Sequence, residues 1–303
     1  MPVPALRAGR IKDEIKVAGS TFVLQEPIFI PGAEAQRTGD GEHLALCTLH
    51  AFTAHCPLGS AMTPSACTRL ILASGSPRRR ELLVGIVAGF EVVASGAEES
   101  GVEQPSREFP AIQLPSPYEV SQEASPMLWA WRKSCAVAQV RGSDPEWDTL
   151  VLGADTVVVA EDRILNKPRD RVEATEMLLS LAGREHAVIT GWVLLLVPAG
   201  GDSDDPQLQR YGYTSSLVRM RPFDPGLISW YVESGEPFDK AGGYAVQGLG
   251  GRLVTEVQGC WNNVVGLPVC AVRAALGAIG MQVAQGFDWR GPCEGPYCTD
   301  RQH

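Results

Sequence analysis

The sequence has no surplus of positive charge: 26 lysines and arginines stand against 35 aspartates and glutamates, a formal net charge of -9. A general nucleic-acid binder carries a basic excess, so that class is disfavoured. A site for one small anion, which needs only a few local cations, is not. Cysteine is also scarce. Eight in 303 residues form no C-x-x-C pair, and the nearest two are Cys293 and Cys298 in "GPCEGPYCTD". This excludes a disulfide scaffold and points to a reducing compartment. Long hydrophobic runs are missing as well. The longest strongly apolar one, "VLLLV" at Val193 to Val197, falls far short of the ~20 residues that cross a bilayer. Arg7, Arg10, Lys12, Asp13 and Glu14 precede any apolar stretch, so no signal peptide is expected and the cytoplasm is the expected location. No G-x-x-x-x-G-K-[ST] occurs, and the glycines near residues 242–251 do not form G-x-G-x-x-G at a strand-to-helix turn. A P-loop and a dinucleotide fold are therefore set aside.

What is present is ordinary globular material, 45% hydrophobic and 20% charged, enough for one large domain or two small ones. Residues 1–67 show neither helical nor alternating periodicity and read as a weakly structured extension. Three of the five histidines (His43, His50, His55) fall there with Cys47 and Cys56, but their spacing matches no common zinc pattern. From Arg69 the pattern sharpens. "RLILAS" and "FEVVAS" read as strands, and "PRRRELLVGI" between them as a helix. A proline-broken loop spans 101–120. "SPMLWAWRKSCAVAQVR", "RDRVEATEMLLSLAGR" and "PGLISWYVESG" read as helices. "EHAVITGWVLLLVPAG" and "YGYTSSLVRMRPF" are long strands joined by the acidic loop "GGDSDDPQ". "DTLVLGADTVVVAED" reads as a strand interrupted at Gly153 to Thr156, leaving the core and returning. Interspersed strands and helices with one hairpin predict an α/β fold with a mixed sheet.

Four polar clusters interrupt these apolar elements. In "LILASGSPRRREL", Ser76 offers an N-cap hydroxyl and Pro77 suits the first helical position, so a helix starts at Pro77 and runs to about Val84. Arg78, Arg79 and Arg80 then sit at the helix end that carries partial positive charge, where a cation costs roughly 0.3–1 kcal/mol. An anion at that end removes the difficulty, because helix amides and guanidinium forks then face the same phosphates. The second cluster is "GADT", where Asp155 lies among apolar residues and must be paired, metal-bound or functionally charged. The third is "NKPRD" with Lys167. The fourth is "EPFDKAGGYAVQGLGG", with Asp239, Lys240 and Gln247 around a glycine-rich turn. Singly each has a bland reading as a solvated face, a cap or a turn. Together they supply cations, a carboxylate and a flat amide, the inventory for a nucleoside triphosphate with a divalent metal.

"ASGSPRRRELL", "GADTVVV", "LNKPRD", "SGEPFDKAGGYAVQGLGG" and "NNVVGLP", in that order and spacing, resemble the Maf family of nucleotide pyrophosphatases over roughly Arg69 to Met281. The resemblance implies an elongated, two-lobed α/β fold with a mixed central sheet flanked by helices and a cleft between lobes. It implies hydrolysis of nucleoside triphosphates to the monophosphate and pyrophosphate with Mg²⁺ or Mn²⁺. The implied domain spans 68–281, between the extension 1–67 and a tail 282–303. Arg78, Thr156 and Gln247 match the specificity positions of the family's dTTP/UTP branch, and Asp155 matches its catalytic proton acceptor. Lys133, Lys167 and Lys240 match its phosphate-side lysines, with Ser74, Ser76 and Arg79 in the same substrate-binding set. The family's acidic pair after the second strand reads Asp-Glu; here it is Glu98-Glu99, and Glu99 takes the metal role beside Asp155. The sequence leaves open whether Asp155 accepts the water's proton or holds a metal-bound water. The expected partner is a nucleoside triphosphate, with no nucleic-acid polymer and no membrane; a homodimer is left open. A non-catalytic nucleotide-binding regulator on the same fold is the main alternative, and a pyrophosphatase for modified guanosine triphosphates a second one, which Gln247 disfavours. A glutamine amide offers one acceptor and one donor, matching the O4 and N3–H of uracil or thymine.

Overall fold

The structure, a computed structural model, describes residues 14–17, 20–23, 68–95 and 125–284. Glu98, Glu99, the loop 101–120 and the tail beyond 284 lie outside the described residues. Within the first 67 residues, β1 (Glu14–Val17) and β2 (Ser20–Val23) pair as an antiparallel ribbon. The main sheet has seven strands. β3 (Thr68–Ala73) lies between β4 (Glu91–Val93) and β5 (Asp148–Ala160), parallel to both. β5 then pairs antiparallel with β7 (Glu185–Val197), followed by β8 (Gln207–Met220) and β9 (Val254–Gln258). β6 (Arg163–Leu165) folds back onto the end of β5. The expected mixed sheet is present.

Helix boundaries follow the local chemistry. α1 (Pro77–Val84) starts with the Ser76 hydroxyl accepting from the Arg79 amide at 3.5 Å. α2 (Pro126–Arg141) also opens on proline and ends at Gly142. α3 (Arg171–Leu181) is capped by Asp170, whose carboxylate accepts from the Glu173 amide at 2.9 Å. α4 (Pro225–Glu233) is capped in the same way by Asp224. Short α5 (Trp261–Val265) and α6 (Val269–Ala278) close the domain.

The period-two alternation of strand side chains sorts the core into faces. Ile71, Val151, Val157, Val159, Ile189 and Val193 pack with Met127, Ala130 and Trp131 of α2. Leu70, Leu72, Leu150, Leu152, Leu194 and Leu196 point the other way, against Leu83 of α1 and Val272 and Leu276 of α6. Farther along that second face, Val158, Val188 and Val218 meet Leu178 of α3 and Ile228 of α4.

β5 is not interrupted. It runs unbroken from Asp148 to Ala160, and Gly153 to Thr156 keep register with Val193, Trp192, Gly191 and Thr190 of β7. The small residues that suggested a break serve close packing instead. A Cβ on Gly153 would lie 2.3 Å from the Ala130 carbonyl of α2, and one on Gly191 would lie 2.5 Å from the Met127 amide nitrogen. The two glycines let the helix backbone press onto the sheet.

Behind the sheet's far end, His186 of β7 is 1% exposed, and its Nε2 lies 2.6 Å from the Tyr244 hydroxyl in a hydrogen bond. This bond fastens the glycine-rich segment to the sheet. His186 Nδ1 has no partner among the described residues, and burial lowers the imidazole from its ordinary 6.5 to about 4.

Two outcomes follow from this packing. Gly191→Ala forces a methyl into α2 backbone, and the expected cost is about 1–3 kcal/mol of unfolding free energy, read by chemical denaturation. A variant as stable as its parent would mean that α2 does not lie so close. Between pH 6.5 and 4 the unfolded chain binds a proton at residue 186 that the folded chain refuses. Stability therefore falls as pH drops through that window, by at most about 1.4 kcal/mol per pH unit from this group. Denaturation midpoints measured from pH 7 to 4 should lose that slope component in His186→Gln; identical slopes would show that His186 titrates normally.

Candidate functional site

The pairing of β3 with β5 ends at Ala73 opposite Gly153, and β6 pairs with β5 only from Val158 onward. Among the described residues, 154–157 of β5 therefore face a gap in the sheet on that side. Asp155 and Thr156 lie in the gap on opposite faces, Asp155 towards α2 and Thr156 towards α1 and α5. The chain leaves β3 at the same place through Ser74 and Ser76 into α1. A parallel strand ending beside such a gap is where open α/β sheets place their ligands.

A cleft opens there, lined by Ser76, Arg78, Arg79, Lys133, Asp155, Thr156, Lys167, Lys240 and Gln247, together with Asp239 and apolar residues including Val158, Val188, Tyr244, Val246 and Val264. Nine of the residues expected from the sequence thus share one cavity. Ser74 stands just behind them. Its buried hydroxyl accepts from the Ser76 amide at 3.2 Å and from an Arg79 guanidinium N–H at 3.3 Å. Glu99 lies outside the described residues. Arg80, the third arginine of the run, is exposed and is not part of the lining. Helical rotation of about 100° per residue turns it away from the side that Arg79 faces.

Asp155 resolves the puzzle of a carboxylate in an apolar strand. Lys133 of α2 donates to its Oδ1 at 2.7 Å, with side chains 6% and 17% exposed. Breaking such a buried pair costs about 3–5 kcal/mol, because one charge is stranded. Lys133, expected beside phosphates, thus lines the cleft with one of its three ammonium donors committed to the carboxylate.

Arg79 is tightly held. Its Nε donates to the Gly266 carbonyl at 2.9 Å, and its two terminal nitrogens donate to Ser74 Oγ at 3.3 Å and Thr156 Oγ1 at 3.1 Å. Gly266 has φ +128°, a conformation that only glycine adopts easily, so the turn after α5 can aim its carbonyl here. Arg78 is looser, 3.6 Å from the exposed carboxylate of Asp239. Lys240 donates to the Glu236 carbonyl at 2.7 Å and also to Asp239. Lys167 reaches the cleft from the exposed loop between β6 and α3. Among the described residues, five cations against two carboxylates make the cavity locally positive in an acidic chain.

Gln247 is exposed on the lining, and its side chain does not cap the 3-10 turn Gly248–Leu253 that follows. What fixes it was not read from the sequence. The Glu236 carboxylate accepts from the amides of Leu249 and Gly250, both at 3.0 Å, and from the buried Tyr231 hydroxyl at 3.2 Å. The turn bearing Gln247 is thus clamped from below. His186 with Tyr244, and the buried pair Thr190 and Asn263, are anchors that the sequence did not assign, and Asp239 stood in the fourth polar cluster without a role of its own. Of the anchors, Tyr244 and Asn263 stood in quoted motifs, "EPFDKAGGYAVQGLGG" and "NNVVGLP".

Among the described residues no three His, Cys, Asp or Glu side chains converge as a metal cage. The donor chemistry suits a hard cation of the magnesium type, which takes one or two carboxylates and completes its shell with water and phosphate oxygens. No helix among the described residues is long and apolar enough to cross a membrane.

The chain is similar to known proteins over the span that holds the cleft. The family described as "Maf-like protein" matches residues 69–279. A dTTP/UTP pyrophosphatase of Syntrophotalea carbinolica is 37% identical over 211 residues, covering 70% of this chain and 84% of that protein. One from Syntrophus aciditrophicus is 40% identical over 212 residues, covering 70% and 90%. One from Caldanaerobacter subterraneus is 36% identical over 226 residues, covering 74% and 96%. With the matched span beginning at β3 and ending at α6, so that it holds every strand of the main sheet and every residue lining the cleft, the chain belongs to the Maf-like protein family.

Proposed function

We propose that the protein is a nucleoside triphosphate pyrophosphatase acting on dTTP and UTP, releasing the nucleoside monophosphate and pyrophosphate. The observation that carries the reading is the convergence of Arg78, Arg79, Lys133, Lys167 and Lys240 on the cleft that also holds Asp155 and Gln247. Relatives that bear the name dTTP/UTP pyrophosphatase support it.

The residues divide the work. The arginines, the lysines and the α1 amides neutralise the triphosphate and the charge that grows on departing pyrophosphate. Arg79 enters the reaction already oriented by its three acceptors, so little reorganisation accompanies phosphate binding. Lys133 holds one oxygen of Asp155, leaving Oδ2 to take the proton of a water attacking the α-phosphorus. Asp155, with Glu99, would also hold Mg²⁺ or Mn²⁺. When bound, the metal supplies positive charge to the phosphate oxygens. Gln247 presents an acceptor and a donor to the O4 and N3–H edge of the base, and the valines of the lining bury its flat face. Such a reaction belongs in the cytoplasm, on free nucleotides, as control of the nucleotide pool.

The test is a panel of nucleoside triphosphates with Mg²⁺ or Mn²⁺, scored separately for pyrophosphate and orthophosphate. Pyrophosphate release from dTTP and UTP above the purine nucleotides is expected; orthophosphate as the first product, or no turnover, would sink the reading. Asp155→Asn keeps an oxygen for Lys133 but strands its charge, so unfolding free energy should fall by up to about 3–5 kcal/mol while turnover per folded molecule drops by about 10²–10⁴. Near-normal turnover in the folded fraction of this variant would remove Asp155 from the chemistry.

A further inference from the structure

The Thr156 hydroxyl on the cleft wall is the first link of a buried polar chain. It lies 2.9 Å from the hydroxyl of Thr190, its cross-strand neighbour on β7. Thr190 Oγ1 in turn donates to the Asn263 carbonyl at 2.9 Å. Thr190 and Asn263 are both 0% exposed. Hydrogen counting fixes every direction. A carbonyl only accepts, so the single Thr190 hydroxyl hydrogen goes to Asn263. Thr190 must therefore accept from Thr156, whose one hydrogen is used in that bond. A guanidinium only donates, so Thr156 accepts from Arg79 at 3.1 Å. The far end is equally fixed. Asn263 Oδ1 accepts from the Thr190 amide at 3.0 Å, and its Nδ2 donates to the Val188 carbonyl and to Ser216 Oγ, both at 2.9 Å. The Thr190 amide, which only donates, and the Val188 carbonyl, which only accepts, permit one orientation of the Asn263 amide.

We propose that Thr190, anchored by Asn263, is a positioning residue that sets the Arg79 guanidinium through Thr156, and that Thr156 meets the nucleotide only as a hydrogen-bond acceptor. This rests on the reading that Arg79 and Thr156 face the nucleotide. Arg79 cannot turn without breaking the directed series Arg79 to Thr156 to Thr190 to Asn263. The Gly266 carbonyl that receives Arg79 Nε belongs to the same short segment as Asn263, so one anchor holds both sides of the guanidinium. Any ligand group that reaches Thr156 Oγ1 must bring its own N–H or O–H.

The experiment replaces Thr190 by the isosteric valine and by serine. Loss of one link loosens the binding cation, so Thr190→Val should raise KM for UTP about tenfold with kcat changed by less than about threefold. Thr190→Ser, which keeps the hydroxyl, should recover parental KM. In a Thr156→Val background the series is already cut, and Thr190→Val should add less than about a twofold effect. An unchanged KM, a fall confined to kcat, or fully additive effects would overturn the proposal. The ¹H–¹⁵N signal of the Arg79 Nε–H gives a reading free of turnover. It should exchange slowly in the parent and in Thr190→Ser, and should shift or broaden in Thr190→Val, or in Thr156→Val if the first variant does not fold. An unmoved Arg79 signal in a folded valine variant would also overturn it. Should the parent hydrolyse no nucleoside triphosphate, the functional reading falls while this signal still decides the positioning role.

Discussion

The close approach of α2 to the sheet is the constraint on which the rest depends. Gly153 and Gly191 have no side chains to hold the helix off, so the backbone at Pro126 to Ala130 rests on β5 and β7. That approach carries Lys133 to 2.7 Å from Asp155, whose partner across the ladder is Gly191 itself. A carboxylate can then sit in the middle of an apolar strand, because a cation on the overlying helix neutralises it. A larger residue at either glycine would separate the helix from the strand and leave both charges without compensation.

On the opposite face the cleft is built by restraint rather than by neutralisation. Arg79 is gripped by the β3–α1 loop, by β5 and by the turn after α5. The glycine-rich segment is pinned at Glu236 and again at Tyr244, through His186. These anchors lie beneath the lining and leave Lys167 and Gln247 exposed. A rigid base with a few exposed polar groups favours a charged ligand, since the cost of organising the cations is met during folding.

Much of this was legible in the sequence for local reasons. Ser76 with Pro77, and Gly142, mark helix ends by chemistry that acts over three or four residues. The adjacent long strands announce the hairpin of β7 and β8, and the ordered motifs bring the cleft residues together. The unbroken β5 was misread because Gly153 to Thr156 resemble a break until the helix above them is known. β9 was missed because its five residues are mostly exposed or half-buried, and α5 because five residues carry no period. The anchors were invisible for a different reason. His186 and Tyr244 lie 58 residues apart, Thr190 and Asn263 lie 73 apart, and no spacing rule reports such contacts.

The central claim is that this cleft directs water at the α-phosphorus of a pyrimidine nucleoside triphosphate. Hydrolysis of UTP in ¹⁸O-enriched water, with both products weighed by mass spectrometry, tests it most directly. Attack at the α-phosphorus places one heavy oxygen in the uridine monophosphate and none in the pyrophosphate. Label in the pyrophosphate, with unlabelled monophosphate, would mean attack at the β-phosphorus and would contradict the account.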